Sequence, residues 1–126
     1  CLRMFRGMIS TAGFNRDRMA AACSGGFLEA TDAAEYLVRK GLPFRRAHET
    51  AALVVRDCVA AGQTRIADRS LPELKARSEL FEADIYGAIE AAACVAARKT
   101  PGGPAPEEVR RQIRALREQA GGNGEQ

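Results

Sequence analysis

The chain has 126 residues, which is room for one domain or for one domain and part of another. Hydrophobic residues make up 46% of the sequence and charged residues 28%, so the composition excludes an intrinsically disordered chain and a collagen-like one. The net charge of +3 comes from 19 basic and 16 acidic residues. Their signs alternate along the chain, as in Arg16-Asp17-Arg18, which favours solvated or interface faces and predicts no nucleic-acid partner.

The cysteines and the histidine are spaced in a way that predicts no metal site. Cys1, Cys23, Cys58 and Cys94 are far apart, and His48 has no Cys or His three or four residues away. The last three cysteines lie in segments rich in Ala and Val, so we expect buried reduced thiols, which are typical of a cytoplasmic protein. No apolar run approaches the roughly 18 residues of a membrane span, and the sequence predicts no membrane partner.

A helical pattern of apolar residues begins with the first residue of the sequence. The residues on this face are Cys1, Leu2, Phe5, Met8, Ile9 and Ala12. No capping residue precedes them, so we expect the tail of a longer helix that ends at Gly13. Asn15 predicts the N-cap of a second helix, with Asp17 at the positive end of its dipole. Phe14 is placed to pack on Met19.

Two further helices follow the break at Ser24-Gly25-Gly26. The first is predicted over residues 27–40 and ends at Gly41, a left-handed cap. Pro43 suits the first position of the next helix, which extends to about Ala61. The apolar face of this helix comprises Phe44, Ala47, Ala51, Val54, Val55 and Cys58. Because the link between the two helices is so short, they must fold back or cross.

The remainder of the sequence also predicts helices. A capping box at residues 70–73 opens a short helix at Leu71, and another helix is predicted to hold Ile85, Ala88, Ile89 and Ala92. After a rigid turn at residues 100–106, Pro106 starts a last helix with an apolar edge of Val109, Ile113, Leu116 and Ala120. Residues 121–126 are expected to form a solvated tail. With no convincing strand and no repeat, the predicted class is all-α.

The residues alone predict no catalytic, cofactor-binding or metal site. The sequence contains no Gly-rich phosphate loop and no metal cluster, and it assembles no Ser-His-Asp set. His48 projects toward the apolar side near Phe44, which is more typical of a hydrogen-bonded structural histidine than of a general base. Thr31 and Asp32 either cap a helix or lie within one, and we expect them to hydrogen-bond to backbone.

Four short motifs fall in register over residues 26–49. They are Ala-Thr-Asp at 30–32, Tyr-Leu-Val-Arg-Lys-Gly at 36–41, Pro-Phe-Arg at 43–45 and Ala-His-Glu at 47–49. Weaker blocks follow at 71–86 and 102–113. Together they resemble the C-terminal region of the argininosuccinate lyase family, over about residues 15–117 of this chain.

The resemblance implies a fold and an assembly. The fold is the small C-terminal helical domain of the fumarase/aspartase-type lyases, preceded by the end of a central-bundle helix. On this basis residues 1–13 are expected to be that helix end, 14–120 the C-terminal domain and 121–126 a flexible tail. The implied partners are the rest of the lyase subunit and the other subunits of a homotetramer, which the first helix would contact in the cytoplasm.

The resemblance also implies an activity, reversible cleavage of argininosuccinate to arginine and fumarate in arginine biosynthesis, without metal or organic cofactor. The family places its base, a Ser, on a Gly-Ser-Ser-x-Met-Pro loop and its catalytic His earlier still, and this sequence contains neither motif. No catalytic residue is therefore carried over, and His48 does not inherit that role. We expect the isolated chain to be inactive and the substrate to bind only the full-length protein.

Two alternatives to this interpretation remain. Another lyase of the superfamily, such as adenylosuccinate lyase, is one alternative. The other is a non-catalytic structural protein of the delta-crystallin type, which an intact upstream Ser loop and His would argue against.

Pro104 stands where the family usually has a Thr that caps the last helix with Glu107, so that helix is expected to fray or to start differently, at a cost of about 1 kcal/mol.

Overall fold

The computed structural model describes residues 1–122, and within them the fold is all-α, as predicted. Eight α-helices and a 3₁₀ turn at Ile66–Asp68 are present, and no strand occurs in this range. The helices are α1 (Leu2–Ser10), α2 (Arg16–Ala22), α3 (Ala30–Arg39), α4 (Phe44–Ala60), α5 (Leu71–Lys75), α6 (Ile85–Ala88), α7 (Ala91–Ala97) and α8 (Pro106–Gly122).

The helices α3 and α4 form a hairpin that is the centre of the fold. Gly41 ends α3 with φ +97°, where Leu42 N donates to Leu37 O at 3.0 Å and Gly41 N to Val38 O at 2.9 Å. These two bonds form a Schellman motif, which satisfies carbonyls left open at the helix end. Pro43 is the N-cap of α4 rather than its first residue, because its ψ of 137° is extended. The positive φ of Gly41 confirms the predicted left-handed cap at the end of α3.

The core lies between this hairpin and the segments that follow it. From α3 and α4 it takes the buried residues Ala33, Ala34, Tyr36, Leu37, Ala47, Ala51, Val54 and Cys58. From the later segments it takes Ile66, Leu74, Phe81, Ile85 and Ile89. Phe44, predicted on the buried face of α4, is instead 66% exposed, and its ring contacts that of His48. The small alanines let the two helices approach closely. The buried Phe81 ring stacks on that of Tyr36, with centroids 6.2 Å apart.

The chain leaves α4 through a second Schellman motif and is held by a buried carboxylate. Gly62 has φ +70°, and Gln63 N donates to Cys58 O at 2.9 Å. Glu29, which is 8% exposed, accepts a hydrogen bond from Ile66 N at 2.8 Å. Because a buried carboxylate needs donors, this bond fixes the 3₁₀ turn against the start of α3.

Three predicted helix boundaries were wrong. The helix expected from residue 27 begins at Ala30, because Gly26 and Phe27 both adopt positive φ, +76° and +56°. The single helix expected around residues 85–92 is two, since Glu90 is extended with ψ 137° and separates α6 from α7. The first helix ends at Ser10, where the Ser10 and Thr11 hydroxyls donate to Gly7 O at 2.8 and 3.0 Å and compete with the helical pattern.

The start of the last helix is as predicted, and its end is not. The turn before it closes through Gly103 N, which donates to Thr100 O at 2.7 Å, and α8 then begins at Pro106 despite the preceding Pro104. Gly121 and Gly122 belong to α8 rather than to a tail. The remaining residues of the predicted tail, 123–126, lie outside the described residues, and the division of the chain at residue 13 stays a prediction.

Candidate functional site

A buried carboxylate joins the first half of the domain to the second. Asp32, in the first turn of α3, is 6% exposed, and Arg98 Nη1 donates to its Oδ1 at 2.7 Å while Nη2 lies 3.4 Å from Oδ2. Arg98 Nη1 also donates to Cys94 O at 2.8 Å. The expectation that Asp32 would hydrogen-bond to backbone was wrong, because its partner is a side chain from the end of α7. The pair is a clamp between α3 and α7.

A second polar cluster surrounds the hydroxyl of Tyr36 at the opposite end of α3. Tyr36 Oη donates to Asp84 Oδ1 at 2.5 Å and accepts from Glu82 N at 3.2 Å. Lys40 forms ion pairs with Glu82 and with Asp84, and its ammonium lies 5.3 Å from the centre of the Tyr36 ring. Burial and the bond to Asp84 raise the pKa of Tyr36, whereas the Tyr36 and Lys40 donors lower the pKa of Asp84. The cluster therefore keeps Tyr36 neutral and Asp84 ionised, which suits a structural lock.

A groove with a volume of about 620 Å³ lies between α4 and α5. Arg77 binds Asp57 with two hydrogen bonds of 2.6 and 2.8 Å, and this guanidinium lowers the pKa of Asp57. Arg69 pairs with Glu73 at 2.5 Å, and Tyr86 Oη donates to Arg69 O at 2.8 Å. Both guanidinium groups are thus engaged by carboxylates of the same groove. The arrangement cross-links α4 to the following segment.

The same groove contains the predicted capping box of α5. Ser70 N and Ser70 Oγ donate to Glu73 Oε2 at 2.9 and 2.7 Å. These two donors, together with Arg69, lower the pKa of Glu73 to about 2. The bond from Ser70 N is one that a capping box makes, so the sequence motif is sufficient to predict it.

His48 lies on the surface of α4, beside Phe44. Its ring contacts that of Phe44, with centroids 4.4 Å apart and planes inclined by 46°. It borders a depression of about 260 Å³ with Thr31 and otherwise small apolar side chains. The expectation of a hydrogen-bonded structural histidine was wrong: the residue is exposed and held by aromatic packing. No carboxylate or thiol is among the residues that line this depression.

The cysteine predictions were correct for one residue, partly correct for another and wrong for a third. All four thiols are free; Cys58 is buried, Cys94 half-buried and Cys23 exposed. Burial raises the pKa of Cys58 and raises that of Cys94 to about 11. A thiol with a raised pKa carries little thiolate at neutral pH, so neither residue is set up as a nucleophile.

The described residues hold no group of three His, Cys, Asp or Glu side chains arranged for a metal ion. Among residues 1–122, no helix combines the length and the apolar character that crossing a membrane requires. The polar clusters described above are cross-links between helices, and each acid in them is engaged by a donor of the same chain.

An exposed apolar surface lies on α1, in which no residue is buried. Its exposed apolar side chains are Leu2, Met4, Phe5, Met8 and Ile9, each more than half exposed. The predicted stripe is thus present, and no other described element covers it. A contiguous apolar patch of this kind marks an interaction surface, and α1 is the candidate site through which this domain attaches to another structure.

Comparison with known proteins identifies the family. Residues 27–96 match the family model described as argininosuccinate lyase C-terminal. The argininosuccinate lyase of Moorella thermoacetica is 51% identical over 118 residues, covering 94% of this chain and 25% of that protein. That of Symbiobacterium thermophilum is 52% identical over 113 residues, covering 90% of this chain and 24% of the relative.

The match covers most of this chain and a small part of each relative. The argininosuccinate lyase of Pelotomaculum thermopropionicum shows the same proportions, with 48% identity over 119 residues, 94% of this chain and 25% of that protein. The chain thus spans about a quarter of the length of the relatives it matches. At this identity, and with a family-model match over more than half of its length, the chain belongs to the argininosuccinate lyase family, in the part that forms the C-terminal domain.

Proposed function

We propose that this chain is the C-terminal domain of a lyase that reversibly cleaves argininosuccinate to arginine and fumarate in the cytoplasm, as part of arginine biosynthesis. The observation that carries the proposal is the identity of about half of the aligned positions, over 90–94% of the chain, with proteins named argininosuccinate lyase. The helical fold with its α3–α4 hairpin agrees with it, because the family-model match spans this hairpin and its core partners.

Within that lyase, the domain acts without a catalytic residue of its own. The cleavage of argininosuccinate is a β-elimination. It needs a base that removes a proton from the carbon alpha to a carboxylate and an acid that protonates the departing nitrogen. Among the described residues, Asp32, Asp57, Glu73 and Asp84 are engaged by donors of the same chain. His48 stands at the surface beside Phe44. The isolated chain is therefore inactive, and it binds the substrate only as part of the whole protein.

The domain contributes an attachment surface and a rigid structure to the whole protein. The exposed apolar face of α1 packs on the rest of the subunit and on partner subunits of a homotetramer, while the clamps at Asp32 and Tyr36 keep the remaining helices rigid. A rigid domain on an apolar anchor holds its neighbours in fixed positions, and catalytic groups elsewhere in the protein need such fixed positions.

A chimera tests this function. The C-terminal quarter of the Moorella thermoacetica lyase is replaced by this chain, and fumarate release from argininosuccinate is followed by absorbance. We expect the chimera to be active and the lyase lacking its C-terminal quarter to be inactive. A matched chimera carrying Phe5→Glu and Ile9→Glu should lose tetramer and activity together. An inactive chimera that still forms the tetramer would contradict the proposal.

The isolated chain provides the second arm of the test. A pure preparation should release no fumarate above background. His48→Ala serves as the control for contamination, because a contaminating enzyme is indifferent to this substitution. Turnover that disappears in His48→Ala would show that the chain is itself catalytic.

A further inference from the structure

The last helix, α8 (Pro106–Gly122), has an apolar stripe that the described part of the chain leaves open. Val109, Ile113 and Leu116 are 41%, 43% and 63% exposed. Together with the exposed Ala120, they recur at intervals of four, three and four residues, so they share one face of the helix. Binding a partner that removes an apolar face of this length from water is favourable in free energy.

The burial pattern shows how this stripe is oriented. Ala105, just before α8, is buried, and Glu108 and Gln112 are half-buried, so these positions mark the side of the helix that faces the domain. At about 100° per residue, the stripe lies next to that side and Arg110, Arg114 and Arg117 lie along its outer edge. The stripe is thus bordered by the domain on one side and by three arginines on the other.

These three arginines differ from the other arginine of the helix, Arg111. Arg111 Nη2 donates to Glu108 Oε2 at 2.5 Å, an ion pair within the helix. Arg110, Arg114 and Arg117 are exposed and make no ion pair with any carboxylate of residues 1–122. They form a row of positive charge, at intervals of four and three residues, that runs parallel to the apolar stripe.

We propose that this stripe and its arginine row are a docking surface for an amphipathic helix with an acidic flank. The apolar stripe would take the hydrophobic face of the partner helix, and its carboxylates would meet the guanidinium row. Arginine suits this role because its planar donor fork matches a carboxylate. Charges at the rim of such an interface steer association and fix orientation more than they add affinity.

Two helices of a second copy of this chain, α1 and α8, are possible occupants of the surface, but both complement the charge of the arginine row poorly. The apolar helix α1 has arginines at 3 and 6 and no acidic residue, so a second copy offering α1 would bring positive charge to positive charge. An antiparallel two-fold pair of α8 helices would place the same flank of each helix together, arginine row against arginine row. An acidic helix complements the row, and this inference goes beyond the proposed function.

The test uses a synthetic probe. A fluorescein-labelled helix of about 20 residues, with Leu on one face, Glu along the adjoining flank and Ala elsewhere, is titrated with the full chain and followed by anisotropy. A matched peptide has Lys in place of Glu. We expect the Glu peptide to bind more tightly than the Lys peptide, and its binding to weaken as salt is raised, because exposed charges are screened.

Charge reversal then locates the site. Arg110→Glu, Arg114→Glu and Arg117→Glu together should weaken binding of the Glu peptide about tenfold or more and strengthen binding of the Lys peptide. The matched control, Arg16→Glu with Arg18→Glu and Arg46→Glu, reverses three exposed arginines away from both α8 and the apolar stripe of α1, and should leave both affinities unchanged. The triple Arg→Lys variant keeps the charge but lacks the donor fork, so it should bind the Glu peptide more tightly than the reversed variant and no more tightly than the wild type. Circular dichroism on every variant checks that α8 remains folded.

Three outcomes would overturn the proposal. One is that the Glu peptide does not bind, or binds the reversed variant equally well. Another is that the chain binds vesicles of anionic phosphatidylglycerol through the arginine row and ignores the peptide, which would make the face a membrane contact. The third is that the chain dimerises through α8 in light scattering, with no peptide bound, which would make a second copy the occupant.

Discussion

Asp32 and Arg98 lie 66 positions apart in the chain, and Arg98 Nη1 donates to Asp32 Oδ1 at 2.7 Å. The side chain of Asp32 is 9% exposed and that of Arg98 is 39% exposed, so one charge is buried and the other reaches water. Such a pair stabilises a fold chiefly because breaking it strands the buried partner. Through this pair the start of α3 depends on the end of α7.

Removing Arg98 should therefore destabilise the whole domain. We expect Arg98→Ala to lower the free energy of unfolding by about 1–3 kcal/mol, less than for a fully buried pair because water reaches the guanidinium. Arg45→Ala is the matched control: it removes a pair with Glu49 whose side chains are 91% and 63% exposed, and should cost at most about 0.5 kcal/mol. Urea unfolding followed by circular dichroism measures both. Equal losses in the two variants would show that the clamp contributes nothing beyond a surface pair.

Gly41 should be intolerant of a side chain although there is space for one. A Cβ at Gly41 would meet no atom within 4 Å, so the cost of Gly41→Ala comes from its φ of +97° alone. We expect a loss of about 1–2 kcal/mol in the free energy of unfolding. Gly87→Ala, in α6, also meets no atom within 4 Å and has no positive φ, so it should be neutral or stabilising. If thermal unfolding shows the same change for both variants, the cap does not require glycine.

Glu73 should make the domain more stable above its ordinary pKa than below it. Its pKa is lowered from 4.5 to about 2 by the Ser70 donors and Arg69, so its stabilising contribution is complete above 4.5 and is lost as pH falls toward 2. Glu73→Gln lacks this titration, so the difference in melting temperature between wild type and variant should shrink over that range. Ser70→Ala removes one donor and should give an intermediate profile. Parallel curves for wild type and Glu73→Gln would contradict this expectation.

Local signals predicted the fold well, and long-range polar contacts were not predicted. The cap at Gly41 and the Ser70–Glu73 box are encoded within a few residues, so the sequence is sufficient to place them. The Asp32–Arg98 clamp and the Tyr36–Asp84 bond, 48 positions apart, depend on how helices pack, which single-sequence periodicity does not contain. The same limit applies to Phe44, which is 66% exposed: helical spacing does not show which residues of an apolar face another element covers.

The candidate site was predicted in one part and missed in another. The α1 stripe follows from helical spacing, and its exposure in the structure agrees with the prediction. Sequence analysis does not identify the arginine row of α8, because positive and negative residues alternate along the sequence. Only on the helix surface do the three arginines lie side by side. A wheel projection of Arg110, Arg114 and Arg117 is the signal that would have found it.

The last prediction concerns the stripe of α1. Phe5 and Ile9 are 60% and 61% exposed and lie at its centre, so a chain in solution should self-associate through them or leave α1 unfolded. Phe5→Glu with Ile9→Glu should raise solubility and lower the apparent mass in light scattering. The melting temperature should not fall, because α1 contributes no buried residue to the core. Val59→Glu, at a position on α4 that is 61% exposed, is the control for an isolated apolar residue and should leave the mass unchanged. A wild-type monomer with α1 helical, or a double variant that unfolds, would mean that the stripe belongs to the core of this domain and that the boundary at residue 13 is wrong.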